Sequence, residues 1–181
     1  PKVQGAMLEA MQERKVTLGG QSMKLPTPFL VIATQNPVEQ SGTFELPEAQ
    51  LDRFMLLHRL GYPGRDEEQD ILRRQLSMGL RKEEGGAVPK TAFDMIDGSP
   101  VGTATDLVAA MESVQQVHVS EVFLKHSVEL VRRTRESKLL DFGCSPRAGL
   151  ALVNAARARA VIHGRDYVTP EDLFDLAEDI V

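Results

Sequence analysis

The order of apolar and polar positions predicts helices and strands in the first third of the chain and helices alone after it. Residues 2–14 carry apolar side chains at helical spacing on one face, which predicts an amphipathic helix. The pair Gly19-Gly20 can supply the positive φ angles of a tight turn, so residues 16–25 are predicted to form a β-hairpin. The continuous apolar run that begins at Phe29 predicts a buried strand over 29–35.

The pattern changes at Tyr62-Pro63-Gly64, where the strand signals stop. Before this break, residues 47–51 predict a short helix and residues 54–60 a further strand. Residues 78–104 are rich in Gly and Pro and are expected to be irregular. The other segments beyond the break predict five helices, at 65–77, 105–117, 120–136, 146–163 and from Thr169 onward.

These elements predict an α/β part followed by an all-α part. The boundary is placed at the break, so residues 1–63 are expected to form an incomplete α/β unit with a parallel sheet. Residues 64–181 are expected to form a helical bundle. Within the bundle, Ser145 is the predicted N-cap of the helix that starts with Pro146.

The composition is that of a soluble protein and disfavours some kinds of binding, but it does not indicate which reaction the protein catalyses. The 181 residues are 42% hydrophobic and 26% charged, as expected for a soluble protein with a core. The net charge of −5 disfavours a general nucleic-acid binder. The single Cys144 cannot form an internal disulfide, which fits a reducing, cytoplasmic setting. The four histidines lack metal-ligand spacing, so no metal site is predicted.

Three polar residues are the candidates for chemistry. Asn36 follows the predicted strand 29–35 at its carboxyl end, the edge of an open α/β sheet where ligands bind. Arg53 follows the short helix 47–51, and Arg147 lies in the first turn of a later helix. An Asn at a strand end together with two arginines is typical of a site around a nucleoside triphosphate.

These segments resemble the MoxR family of AAA+ ATPases. The similarity runs from the first residue to nearly the last, and it is densest in the first third of the chain. The matching text comprises Pro1-Lys2-Val3-Gln4, Leu8-Glu9-Ala10-Met11-Gln12-Glu13-Arg14, Val16-Thr17-Leu18-Gly19-Gly20, Ala33-Thr34-Gln35-Asn36-Pro37, Leu46-Pro47-Glu48-Ala49-Gln50-Leu51-Asp52-Arg53-Phe54 and Ser145-Pro146-Arg147-Ala148. The resemblance implies a partial AAA+ core over 1–63 and a helical lid subdomain over 64–181.

The resemblance also implies a role for each candidate residue. Asn36 corresponds to sensor 1, which orients the attacking water at the γ-phosphate; alternatively, it caps a turn before Pro37. Arg53 corresponds to the arginine finger, which acts in the neighbouring subunit; alternatively, it pairs with Asp52 or Glu48 on a surface helix. Arg147 corresponds to sensor 2, and its alternative is a surface arginine.

Two parts of such an ATPase are missing from the sequence. No string has the form of a P-loop, because the nearest one, Gly86 to Thr91, has Pro89 before its Lys-Thr pair and follows a charged segment. There is also no apolar strand that ends in Asp-Glu to hold magnesium. The chain is therefore expected to be the back portion of an ATPase that is inactive alone.

The resemblance implies an ATPase that binds Mg-ATP between the subunits of a hexameric ring and remodels client proteins, including some with a von Willebrand factor A domain. The hairpin 16–25 either lines the pore of this ring or packs on its own sheet. A non-enzymatic interaction or oligomerisation module is the alternative that the missing P-loop favours. A magnesium-chelatase subunit or a replicative helicase is a further alternative within AAA+ proteins.

Overall fold

The computed structural model describes residues 7, 9–11, 13–35, 47–83, 85–96 and 98–181. These residues group into two compact units. The first unit takes in the chain up to His58 and again from Ala104 to Val181, and the second runs from Arg59 to Thr103. The predicted division into an incomplete α/β unit over 1–63 and a helical subdomain over 64–181 stays a prediction.

The predicted hairpin is confirmed at the start of the first unit. Strand β1 (Lys15–Leu18) pairs antiparallel with β2 (Gln21–Lys24), and Leu18 lies opposite Gln21 across the turn. Gly19 and Gly20 have φ angles of 58° and 81°, the left-handed region in which a side chain is disfavoured. The sequence therefore set both the position and the type of this turn.

The strands predicted over 29–35 and 54–60 are wrong. In the part of the chain that the structure describes, neither segment pairs with another strand. Leu30 and Ile32 are 79% and 82% exposed, although their apolar run predicted burial. A strand requires a neighbour that shares its hydrogen bonds, and β1 and β2 pair with each other. Residue 57 instead donates its backbone N–H to the carbonyl of Asp179, 2.7 Å away.

The helices agree with the predicted ones to within a residue or two. They begin and end where caps and prolines indicate, since Ser120 and Ser145 accept hydrogen bonds from the first turns that follow them. They are α1 (Glu48–Leu51), α2 (Arg65–Ser77), α3 (Ala104–Gln116), α4 (Glu121–Glu136), α5 (Pro146–Ile162) and α6 (Pro170–Ile180).

Helix α5 lies at the centre of the helical part and packs against α3, α4 and α6. Small residues make this close packing feasible, because Ala156 and Ala160 are fully buried together with Leu152. Phe123 and Val131 bury the facing side of α4. The core thus holds α5 from three sides, and the orientation of its first turn follows from that packing.

The segment 78–104 differs from its prediction. Residues 78–104 were expected to be irregular, but they contain the antiparallel strands β3 (Leu80–Glu83) and β4 (Gly86–Pro89) and a 3-10 helix (Ala92–Met95). Gly85 and Gly86 have φ angles of 97° and 156° at the hairpin turn, which only glycine adopts readily. The Gly content that suggested an irregular loop therefore reflects a second hairpin.

Among the described residues, no helix combines the length and the apolar character that crossing a membrane requires.

Candidate functional site

The structure joins the segment that carries Arg53 to Arg147 through a fourth residue, Asp52. The Nη1 atom of Arg147 donates to Oδ2 of Asp52 at 2.9 Å. Arg53 is the next residue along the chain and is half-buried. Asn36, the third candidate, lies outside the described residues. The segment that carries Arg53 is thus joined to the first turn of α5, which is 95 positions away along the chain.

Both carboxylate oxygens of Asp52 are engaged. Oδ1 accepts a hydrogen bond from the hydroxyl of Ser145, and Oδ2 accepts the one from Arg147. The Asp52 side chain is 29% exposed, whereas that of Arg147 is 58% exposed. The carboxylate is therefore partly shielded from water, while more than half of the arginine side chain stays exposed.

Ser145 links the carboxylate to the start of α5. Its oxygen accepts the backbone N–H of Arg147 at 3.1 Å, which caps the helix, and its hydroxyl proton is donated to Asp52. An arginine in the first turn is disfavoured by the helix dipole, and a carboxylate placed there is favoured. Asp52 thus offsets the unfavourable position of Arg147 and also complements the positive end of α5.

The loop that precedes Ser145 is held tightly against α4. The Nε atom of Arg135 donates to the carbonyl of Cys144 at 2.7 Å, and the N–H of Cys144 donates to the hydroxyl of Thr134 at 2.9 Å. A Cβ on Gly143 would lie 2.5 Å from the Cα of Arg135, closer than atoms approach in folded proteins. The absence of a side chain at Gly143 therefore lets the loop reach the position from which Ser145 caps α5.

Arg53 lies in the turn that ends α1. Its backbone N–H donates to the carbonyl of Gln50 at 3.4 Å, and the N–H of Phe54 donates to the carbonyl of Leu51 at 2.9 Å. These bonds continue the turn past Asp52, so the direction in which Arg53 leaves the backbone is coupled to that of the neighbouring carboxylate.

This arrangement suits an anion that approaches α5. A helix amino end and an exposed arginine side chain offer N–H donors of the kind that a phosphate accepts, whereas the hydroxyl proton of Ser145 is already donated to Asp52. A magnesium ion needs several oxygen ligands, and no group of three or more His, Cys, Asp or Glu is close enough to hold a metal within the described ranges. The donors at the start of α5 are thus of the kind that bind phosphate, and the expected role of Arg147 stays a prediction.

Two residues of this cluster were not singled out for function by the sequence. Asp52 entered the sequence analysis only as an alternative partner for Arg53, and Ser145 only as a helix cap. No spacing signal connects Asp52 with Arg147, since they lie in separate segments. The runs that surround both residues are nevertheless the two segments that carry the family resemblance in this part of the chain.

A second polar cluster, around Asp172, serves the fold. Its side chain is 2% exposed and accepts two bonds from Arg165, at 2.7 and 2.8 Å, and one from the N–H of Thr169 at 2.8 Å. Burial, the largest influence, raises the pKa of Asp172, but the bonds from Arg165 and Thr169 together outweigh it and lower the pKa. Asp172 thus stays ionised and fixes the start of α6.

Comparison with known proteins identifies the two parts of the chain. Residues 1–56 match the ATPase family associated with various cellular activities (AAA), and residues 132–181 match the AAA lid domain. The matched segments contain Arg53 and Arg147 respectively. The crystal structure of an ATPase candidate from Cytophaga hutchinsonii superposes with a TM-score of 0.83 at 37% identity, over 100% of this chain and 53% of that one.

Sequence relatives agree with this assignment. YeaC of Bacillus subtilis is 42% identical over 98% of this chain and 51% of its own length. Chaperone MoxR1 of Mycobacterium tuberculosis is 38% identical over 99% of this chain and 46% of its own length. The chain thus spans about half the length of the curated relatives it matches. The predicted fold class, part of an AAA+ core followed by a helical lid, is confirmed, and the chain belongs to the MoxR family of AAA+ ATPases.

Proposed function

We propose that this chain is the sensor, arginine-finger and lid portion of an ATPase that couples ATP binding and hydrolysis to chaperone-like remodelling of client proteins. The observation that supports it best is the joining of the Arg53 segment to the start of α5 through Asp52. This contact links the segment that carries Arg53 with Arg147 within one subunit. In a ring, one of them would face the subunit's own nucleotide and the other that of its neighbour.

Each predicted residue has a distinct task in this proposal. Arg147 binds the phosphates of ATP held by its own subunit, aided by the amino end of α5. Arg53 reaches the ATP of the adjacent subunit and stabilises the charge that develops on the transferred phosphoryl group. Asn36 orients the attacking water. Bound Mg²⁺ would neutralise phosphate charge. No apolar strand that ends in Asp-Glu occurs in this sequence, so the ligands of the ion are expected elsewhere in the complete protein.

The complete protein that carries this chain provides the test. Replacement of Arg53 by Ala is expected to lower ATP turnover on the order of 10³-fold, the size of effect that arginine fingers produce. Arg147→Ala is expected to raise the KM for ATP, and Asn36→Ala is expected to slow turnover. Near-normal turnover in the Arg53 and Asn36 variants would remove the roles assigned to both residues.

Arg133 offers a matched control for the loss of an arginine. It lies on α4, its side chain is 75% exposed, and it pairs with Glu129 at 2.9 Å. Such an exposed pair contributes little to stability because water screens it, so Arg133→Ala should leave turnover unchanged. A loss of activity in this control would mean that turnover reports on stability and not on the roles of Arg53 and Arg147.

The shared active site requires a ring, for which we propose a hexamer. Mixing subunits tests this arrangement: Arg53→Ala subunits combined with subunits that cannot bind ATP should regain part of the activity, because each supplies what the other lacks. Absence of any recovery of ATP turnover in mixed rings would argue against action of Arg53 in the neighbouring subunit.

The proposal also includes clients with a von Willebrand factor A domain and a cytoplasmic location. The single cysteine is consistent with a reducing compartment.

The chain by itself is proposed to be inactive, since it has no P-loop. Calorimetric titration of the isolated chain with Mg-ATP should show no micromolar binding. Micromolar affinity would instead favour a module whose phosphate contacts all lie within these residues.

A further inference from the structure

Asp52 occupies a position that the proposed mechanism does not use. Its neighbour Arg53 is assigned to the adjacent subunit's nucleotide, yet the Asp52 carboxylate turns to α5 of its own subunit. There it meets the guanidinium of Arg147 and the hydroxyl of Ser145. One carboxylate therefore connects the turn after α1 with the residue proposed to contact phosphate.

We propose that Asp52 is a positioning residue that holds Arg147 in the orientation required to bind the triphosphate of its own subunit. This inference rests on the proposed role of Arg147. The contact uses Nη1 alone, and 58% of the arginine side chain stays exposed. A guanidinium has five N–H donors in a planar fork, so Asp52 can anchor one edge while another edge receives phosphate oxygens.

The geometry favours orientation over simple charge pairing. Asp52 also fixes the hydroxyl proton of Ser145, which directs the serine lone pairs toward the N–H of Arg147 at 3.1 Å. Backbone and side chain of Arg147 are thus tied, directly or through Ser145, to the same carboxylate. A long arginine side chain loses rotamer freedom when it binds, and prior restraint by Asp52 reduces that entropic cost.

The test measures ATP hydrolysis by the complete protein with four variants, namely Asp52→Asn, Arg147→Gln, the double variant, and Asp70→Asn. Asn has the shape of Asp without its charge, so Asp52→Asn removes the ion pair with Arg147. The KM for ATP is expected to rise about fivefold, the change in affinity that corresponds to the loss of one partly exposed ion pair. Because Asp52 acts through Arg147, the double variant should show no higher KM than Arg147→Gln alone.

Asp70 supplies the control for loss of a carboxylate. It pairs with Arg73 at 2.7 Å on the exposed surface of α2, in the second unit. Asp70→Asn should leave both KM and turnover unchanged. If Asp52→Asn fails to fold, as judged by circular dichroism, Asp52→Glu replaces it, since the extra methylene displaces the charge. The same dependence on Arg147 is then expected.

The outcomes separate this inference from the proposed function. A raised KM in Arg147→Gln with an unchanged KM in Asp52→Asn would overturn the positioning role and leave the function intact. Additive effects in the double variant would also overturn it. A lowered KM in Asp52→Asn would show that the carboxylate competes with triphosphate for Arg147. An unchanged KM in Arg147→Gln itself would instead remove the role of Arg147 on which both proposals depend.

Discussion

The backbone of Gly143 runs so close to Arg135 that a Cβ at position 143 would lie 2.5 Å from the Arg135 Cα and 2.8 Å from its backbone N. Two of the three nearest atoms belong to the backbone of Arg135, so they cannot move aside as the end of a flexible side chain would. This close approach places the loop that leads into Ser145 and Arg147. The site at the start of α5 therefore depends on a residue that contributes no functional group.

Gly143→Ala is expected to destabilise the chain by about 1–3 kcal/mol, because the added methyl group forces the loop away from α4. Gly149→Ala is the control, since it lies within α5 and its Cβ would meet only Val131 at 3.9 Å. Alanine there should stabilise by about 0.5–1 kcal/mol through helix propensity. Urea unfolding followed by circular dichroism measures both. Equal stability of the two variants would contradict the close approach at Gly143.

Ser145→Ala should separate helix capping from positioning. Loss of the cap is expected to cost about 1 kcal/mol of unfolding free energy, as at other N-caps. Ser120→Ala removes the cap of α4, where the serine oxygen accepts the N–H of Phe123 at 3.2 Å, and should cost a similar amount. Ser145 also donates to Asp52, so only its variant should raise the KM for ATP in the complete protein. A KM effect in the Ser120 variant would point to stability alone.

Asp172→Asn is expected to destabilise by about 3 kcal/mol, because it leaves the charge of Arg165 shielded from water without its partner. Asp175, 42% exposed and paired with Arg159, is the control, and its Asn variant should cost less than about 1 kcal/mol. Thermal or urea unfolding distinguishes them. A loss of unfolding free energy in Asp175→Asn as large as that in Asp172→Asn would contradict the argument that the buried ion pair contributes more to stability than the exposed one.

The same carboxylate gives the chain a pH dependence of known sign. The pKa of Asp172 is lowered in the folded state relative to 3.8. Its ionisation therefore stabilises the fold above pH 3.8, and this contribution is lost as the pH falls below that value. Unfolding free energies measured from pH 6 down to pH 3 should fall more steeply for the wild type than for Asp172→Asn. If the unfolding free energies of the two proteins fell in parallel with pH, Asp172 would not be the group that causes the loss of stability in acid.

Asp94 allows a direct measurement of a shifted pKa in the second unit. The backbone N–H of Thr91, then its hydroxyl, and also Arg81 lower the pKa of Asp94 from 3.8 to about 2. Stability from this group is present above pH 3.8 and lost toward pH 2. A carbon-detected NMR titration of the carboxyl should give a midpoint near pH 2. Thr91→Val keeps the backbone N–H but removes the hydroxyl, so it should raise the midpoint from about 2 part of the way toward 3.8. A midpoint near 3.8 in the wild type would refute the hydrogen bonds from Thr91 to Asp94.

The start of α5 shows what sequence reasoning achieved at the site. Ser145 and Pro146 were recognised as cap and first helical residue, since capping is a contact between neighbours along the chain. The family resemblance singled out Arg147, and the lid match over 132–181 includes that residue. The partner of Arg147 could not be found in this way, because Asp52 lies 95 positions away and no periodic pattern encodes a contact between distant segments.

The sequence by itself determined the elements whose causes are local. The turn at Gly19-Gly20, the helix caps and the spacing of apolar residues in α2 to α6 all depend on residues within a few positions of one another. The tertiary structure alone decided strand pairing and the cluster at Asp52. The run at 29–35 has the composition of a buried strand but pairs with none among the described residues, because a strand is stabilised by a neighbour and not by its own side chains. In the same way, the carboxylate of Asp52 found its two partners only when the packing of α5 against α3, α4 and α6 fixed where its first turn lies.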